Sequence, residues 1–329
     1  MDDASRIGDR CALATHRVAC LCYDSRPVAS NLLIQIGASP ARPLPDLDWS
    51  GRLERLRAML RSLDSVVVAY SGGVDSSLVL RVAHEVLGDR ALGVIGRSDS
   101  YASRELELAL AQAAEFGAEV EIVTTGELSD PQFRANPTDR CYHCKNELYR
   151  ELAEVAARFG AAAVLDGTIA DDLNDWRPGR RAAEEHAVRS PLAELGFAKD
   201  DVRAAARHYG LASRDKPASP CLASRIPYGT EITRENLSMV ERAEELMRSL
   251  GFRELRVRHH GDTARLEVPI ADLPRLLDAG VREAVVVGLK ALGYARVTVD
   301  LEGFRSGSLN LGLHPSAKDP SGPSPADRT

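Results

Sequence analysis

Apolar and polar positions follow two alternating rhythms through the middle of the chain. Residues 65–70 form a short apolar, β-branched run closed by turn-forming residues, the pattern of a buried strand. From Asp75 the spacing becomes helical, with Leu78, Val79, Val82, Ala83 and Val86 on one face and Gly88 just past the end. The exchange then repeats. Residues 91–95, 119–123 and 161–165 read as strands, residues 103–116 as a helix stopped by Gly117, and residues 145–159 as another helix. Residues 49–63 are amphipathic through Leu53, Leu56, Met59, Leu60 and Leu63, and residues 199–209 read as a short helix before Gly210. Strand alternating with helix predicts an α/β fold, a Rossmann-like parallel sheet covered by helices on both faces.

From Tyr228 the rhythm changes. Thr233 suits the N-cap of a helix carrying Leu237, Val240, Ala243, Met247 and Leu250, with Gly251 as its stop. Strand-like runs at 254–259 and 264–268, a helix over 272–292 and a last strand at 295–301 complete a smaller α+β unit of about 80 residues. Residues 1–50 carry no periodicity and four prolines, as expected of a flexible extension or a start assigned too far upstream. Residues 314–329 are rich in Pro, Ser and Asp and read as a disordered tail. The division expected is 1–50, 51–227, 228–313 and 314–329.

Charge narrows the function. Across 329 residues, Asp and Glu outnumber Lys and Arg 48 to 42, for a formal charge of −6. That balance argues against an extended nucleic-acid surface, though not against a local basic pocket. No run approaches the roughly 18 apolar residues of a membrane span, and the start lacks a signal peptide's pattern, so a cytoplasmic location is expected. Six cysteines in a chain of this size are not a disulfide scaffold. Cys11, Cys20 and Cys22 have no spacing that suggests a site.

The strand-to-helix corner Ser71-Gly72-Gly73-Val74-Asp75-Ser76-Ser77 carries the first candidate chemistry. Paired glycines let the backbone turn tightly and approach a ligand, and the next helix aims free N–H groups and its positive dipole end into the turn. Ser71, Ser76 and Ser77 add hydroxyls, and Asp75 adds a carboxylate suited to Mg2+. The corner reads as a polyphosphate cradle, against the plainer reading of an ordinary turn; no Gly-Lys-Ser/Thr follows, so it is not a Walker A loop. Asp166-Gly167-Thr168 also follows a strand and is expected at the same crevice, with Asp166 as a nucleotide or metal contact or simply a turn residue. The polar stretch 171–189 reads as a solvated loop or a lid.

Cys141-Tyr142-His143-Cys144, placed just before a helix, can belong to a zinc site, an iron–sulfur cluster or a redox dithiol. Zinc needs two further ligands, and no second CxxC exists. Cys221 is the other cysteine beyond the extension. Three thiolates can hold three irons of a [4Fe–4S] cluster and leave the fourth iron open. Arg256 and Arg258 alternate on a strand and so share a face.

These motifs together carry a resemblance. Ser71 to Ser77 matches the PP-loop of the N-type ATP pyrophosphatases, which cleave ATP between the α and β phosphates and leave AMP on an oxygen of the substrate. With Asp166-Gly167-Thr168, Asn174-Asp175-Trp176-Arg177-Pro178-Gly179, the string from Cys221 to Gly229, Arg256-Val257-Arg258, Asp262-Thr263-Ala264-Arg265 and Gly303-Phe304-Arg305-Ser306-Gly307, the chain resembles the LarE family of ATP-dependent sulfur transferases, from about Leu53 to Asn310. The resemblance implies an adenine nucleotide alpha hydrolase-like fold, and ATP and Mg2+ as cofactors. It implies adenylylation of a carboxylate of a pyridinium biscarboxylic acid mononucleotide and its conversion to a thiocarboxylate. That product is the organic part of the nickel-pincer cofactor of lactate racemase. Ser71, Gly72, Gly73, Asp75, Ser76, Ser77, Asp166 and Gly167 would meet ATP, with Asp75 and Cys221 catalytic. Ser224, Arg225, Glu244, Arg256 and Arg258 would surround the substrate phosphate. Cys141, Cys144 and Cys221 place the chain with cluster-bearing members; otherwise Cys221 would give up its own sulfur. Homo-oligomers and contacts with carboxylation and nickel-insertion proteins are also implied. An amide-forming ligase, a tRNA thiolase and a non-catalytic nucleotide- or zinc-binding module are the competing readings.

Overall fold

The apolar run after Ser65 becomes the central strand of a parallel sheet. The structure, a computed structural model, describes residues 47–174, 177–217 and 219–305, all within one compact unit. Residues 1–46 with Cys11, Cys20 and Cys22, the pair Asp175 and Trp176, Ala218, and everything from Ser306 onward, including the expected tail, lie outside the described residues.

In chain order the first part runs α1 (Trp49–Arg61), β1 (Val66–Ala69), α2 (Val74–Leu87), β2 (Ala91–Arg97), α3 (Ser103–Glu115), β3 (Val120–Thr124), a single turn α4 (Pro131–Arg134), α5 (Arg140–Phe159), β4 (Ala163–Leu165), α6 (Gly179–Glu185), a single turn α7 (Pro191–Glu194) and α8 (Lys199–His208). The strands lie in the order β3-β2-β1-β4, all parallel. Because side chains alternate across a strand, Val66, Val68 and Tyr70 pack with the helices of one face, among them α1, α2 and α8, while Val67 and Ala69 pack with α5 and α6 on the other. The order also fixes the site. The chain steps outward from β1 to β3 and then returns to place β4 beside β1, so the carboxyl ends of β1 and β4 flank a topological switch point.

The second part contains α9 (Arg234–Ser249), β5 (Arg256–His260), β6 (Thr263–Glu267), α10 (Leu273–Leu277), α11 (Ala279–Ala291) and β7 (Arg296–Val299). Thr233 caps α9, its hydroxyl accepting from the Asn236 amide at 3.1 Å. β5 pairs antiparallel with β6, and β7 parallel with β6. A cluster that includes Phe133, Leu222, Ile226, Ile232 and Leu237 draws on residues from both sides of position 227.

Three local expectations need correction. The helix expected over 272–292 is broken at Asp278, whose extended backbone (φ −56°, ψ 131°) ends α10 and starts α11. The polar stretch 171–189 is not one loop: α6 buries Ala182 and Ala183, and its Arg181 stacks 3.7 Å above the Tyr142 ring on α5. The CxxC pair lies inside α5 rather than before it, so Cys141 and Cys144, three residues apart, share one helix face.

Candidate functional site

The corner after β1 is shaped by close approaches that only glycine permits. Gly72 has φ +66°, and a Cβ there would lie 2.6 Å from the Ala109 Cβ. A Cβ on Gly167, in the turn after β4, would lie 2.6 Å from the Ser76 amide nitrogen. The second turn therefore presses directly on the first turn of α2. Ser76 Oγ donates to the Gly73 carbonyl at 3.2 Å and lies 3.1 Å from Ser71 Oγ, closing the loop on itself. Ser77 departs from expectation. It is fully buried, and its hydroxyl accepts from Gln112 beneath the helix, so its side chain does not reach the loop.

Asp75 stands in the first turn of α2, and both its oxygens accept from Lys199 Nζ at 2.8 Å. Burial raises the Asp75 carboxyl above the ordinary aspartate value, with Lys199 opposing the rise. Asp166 is buried and saturated: Oδ1 accepts from the Thr168 amide and Ser190 Oγ, and Oδ2 from Tyr149 and Thr168 hydroxyls. Those four bonds make it a strut for the second turn. Lys145 extends the same network towards the cysteines, its Nζ 5.2 Å above the Tyr149 ring. Tyr149 raises the Lys145 ammonium above the ordinary lysine value, burial opposes this, and Asp166 and Cys144 add to it.

The three cysteines are free, with Cys141 exposed and Cys144 and Cys221 half-buried. Cys144 and Cys221 pack against the same apolar cluster. Burial pushes the Cys144 thiol well up, with Glu127, Cys221 and Cys141 adding to the shift. The surrounding protein, then Cys221, raises Cys141 likewise. The three sulfurs thus share one electrostatic neighbourhood. Among the described residues, however, no three His, Cys, Asp or Glu side chains are grouped tightly enough to hold a metal ion. Three thiols, the donor set among the described residues, have the chemistry to hold a cluster with one open iron.

Two hydrogen bonds join this region to the corner after β1. Tyr101 donates its hydroxyl to the Ser71 carbonyl at 2.9 Å, and the Leu222 amide donates to the Ser100 carbonyl at 2.8 Å. The residues after Cys221 are held by arginines. Arg225, 2% exposed, grips Glu244 with two bonds of 2.8 and 3.1 Å and donates to the Pro220 and Cys221 carbonyls and to Ser224 Oγ. Arg258 grips Glu267 at 3.0 and 2.8 Å and donates to the Ser224 carbonyl. Arg256 stacks 4.9 Å from the Phe304 ring. Burial, with Arg225 and Arg258 nearby, pushes its pKa down to about 10. Glu244 is no surface residue. Burial works against its charge, but Arg225, then Arg256 and Arg248, outweigh this and hold the carboxyl below the ordinary glutamate value. Five guanidiniums, including those of Arg248 and Arg265, thus cluster about the two buried carboxylates of Glu244 and Glu267, with Glu245 and Asp300 also pairing to Arg248 and Arg265.

Sequence reasoning missed Lys199, Lys145, Tyr101 and Glu267. Lys145 follows the CxxC directly and Glu267 faces Arg256 across β5 and β6, so spacing and register carried a signal for both. Nothing local marks Lys199 or Tyr101.

A family model described as NAD synthase matches residues 54–148, a span that includes the corner and the CxxC pair. The pyridinium-3,5-bisthiocarboxylic acid mononucleotide synthase of Lactiplantibacillus plantarum is 45% identical over 256 residues, covering 78% of this chain and 92% of that protein. An uncharacterized protein of Synechocystis sp. is 46% identical over 259 residues, covering 79% and 97%. A glutamine-hydrolysing GMP synthase of Aeropyrum pernix is 30% identical over 207 residues, covering 55% of this chain and 39% of that enzyme.

Proposed function

Since the chain belongs to the LarE family of ATP-dependent sulfur transferases, the pyridinium-3,5-bisthiocarboxylic acid mononucleotide synthases, we propose that it activates a carboxylate of pyridinium-3,5-biscarboxylic acid mononucleotide and exchanges it for a thiocarboxylate. The amides of the corner after β1 and the positive end of α2 take the triphosphate of ATP. Asp75 would hold Mg2+, which when bound would offset charge on the phosphates, and Lys199, paired with Asp75 in the free protein, is within reach to donate to the phosphates. The substrate carboxylate oxygen attacks the α-phosphorus, the bond to the bridging oxygen breaks, and pyrophosphate leaves. Sulfur then forms a bond to the carbonyl carbon, and AMP departs with the carbon–oxygen bond. Activation comes first because a free carboxylate is a poor electrophile. The cluster of Arg225, Arg256 and Arg258 takes the substrate phosphate, while Glu244 and Glu267 hold Arg225 and Arg258 in place rather than touch the ligand.

Cys141, Cys144 and Cys221 are proposed to hold a [4Fe–4S] cluster, which when bound would supply sulfide from its open iron. The loose grouping of the thiols favours a second reading as well, in which Cys221 gives its own sulfur and becomes dehydroalanine. The observation that supports the proposal is the pair of bonds, from the Tyr101 hydroxyl to the Ser71 carbonyl and from the Leu222 amide to the Ser100 carbonyl, that ties the corner after β1 and the Cys221 segment to adjacent residues. Incubation with ATP, Mg2+ and the biscarboxylic nucleotide should yield AMP, pyrophosphate and a thiocarboxylate identified by mass spectrometry. An amide product, or no AMP, would reject the activity. Conversion of Cys221 to dehydroalanine in the spent protein separates the two sulfur sources.

A further inference from the structure

The thiols that the proposed function brings together lie on two segments of different character. Cys141 and Cys144 ride on α5. Cys221 sits in a stretch with no long helix or strand of its own. Contacts with the rest of the fold fix the spacing, and one side chain bonds to both segments. Asn136 is fully buried, and its backbone is in the left-handed region at φ +54°. Its Oδ1 accepts from Arg140 Nη1 at 2.8 Å, at the residue just before Cys141. Its Nδ2 faces the carbonyls of Pro227 at 2.8 Å, Thr230 at 3.0 Å and Ile226 at 3.3 Å, and its own carbonyl accepts from the Gly229 amide at 3.0 Å. Arg140 in turn lies 4.8 Å over the ring of Tyr228. One amide thus grips the entry to the CxxC helix with its oxygen and the stretch after Cys221 with its nitrogen.

We propose that Asn136 is a positioning residue that sets the distance between Cys221 and the Cys141–Cys144 pair; this rests on the three-thiol reading given above. The residue type fits the task. Only a side-chain amide offers an acceptor for a guanidinium and donors for carbonyls at once, and asparagine tolerates a left-handed backbone better than most residues. Aspartate keeps the acceptor and loses the donors. Leucine, isosteric in bulk, has neither.

The test uses the full chain, metal-free, with Co2+ alone as probe. Wild type should bind Co2+ with sulfur-to-metal absorption from three thiolates. Asn136→Gly, which keeps the positive φ at no steric cost, should weaken Co2+ binding about 10–100-fold, the usual effect of losing a residue that orients ligands. It should also lower the absorption to the level of Cys221→Ser. Asn136→Asp should do the same while keeping the Arg140 contact. In a Cys221→Ser background Asn136→Gly should have no further effect, because the two changes act through the same thiol. Equal losses in both backgrounds would make Asn136 merely structural and overturn the proposal, as would unchanged affinity. If wild type shows no three-thiolate absorption, the three-thiol reading fails on its own. The proposal is then judged by metal-free cross-linking of Cys221 to the pair with a short bifunctional thiol reagent. Asn136→Gly must depress that yield several-fold, and an equal yield would refute it.

Discussion

The corner after β1 and the arginine-rich wall around Cys221, each proposed to hold a phosphate, are built by opposite means. The corner uses backbone: two glycines without Cβ atoms, a helix start and serines bonded to their own loop. The wall uses side chains, with Arg225 on Glu244 and Arg258 on Glu267 across 19 and 9 residues of sequence. A backbone cradle is local and compact in sequence. A guanidinium wall is stable only while each buried charge keeps its partner, so its failure should appear as lost fold rather than lost affinity alone.

The largest effect should come from breaking the wall. Glu244→Ala leaves Arg225 buried without its carboxylate and should cost about 3–5 kcal/mol in denaturant unfolding. The same pairing gives a pH signature. Glu244 titrates lower in the folded chain than in the unfolded chain, so its contribution is whole above the unfolded glutamate value of about 4.3 and is lost as pH falls through the folded value. Glu244→Gln should remove that acid-sensitive increment. A loss of phosphate affinity with unchanged stability would reverse the contrast.

Removing the carboxylate at the corner should spare the fold. Asp75→Ala should lower pyrophosphate release by about 10²–10³, as for other preorganised electrostatic groups, with an unchanged melting temperature. Gly167→Ala forces a Cβ against the Ser76 amide and should cost about 1–3 kcal/mol as well as weaken ATP binding. Lys199→Met acts more gently. It removes the cation that opposes the burial-driven rise of Asp75, so the acid limb of the rate–pH profile should move to higher pH. Smallest is Ser77→Ala, which should cost about 0.5–1.5 kcal/mol through its bond to Gln112 and leave ATP affinity unchanged.

What could be read in advance divides along the same line. The sheet, the strand-to-helix corner and the cap at Thr233 are local patterns, and the structure reproduces them within a few residues. Asp75 and the CxxC announced themselves by type and spacing, but Lys199 is 124 residues from Asp75 and meets it only because α8 packs beside α2. Ser77 looked like its neighbours in the string; its burial follows from the turn of α2, which points every residue elsewhere. The break at Asp278 was hidden because the apolar spacing runs on through it.

Ser100 and Tyr101 are neighbours in the chain, one holding the sulfur-bearing stretch and the other the nucleotide turn. Adjacent Cα atoms stand about 3.8 Å apart, and that span cannot stretch. The pair therefore ties the two segments through one rigid link. A substitution that shifts either residue should displace both segments together, so adenylylation and sulfur transfer should weaken in parallel.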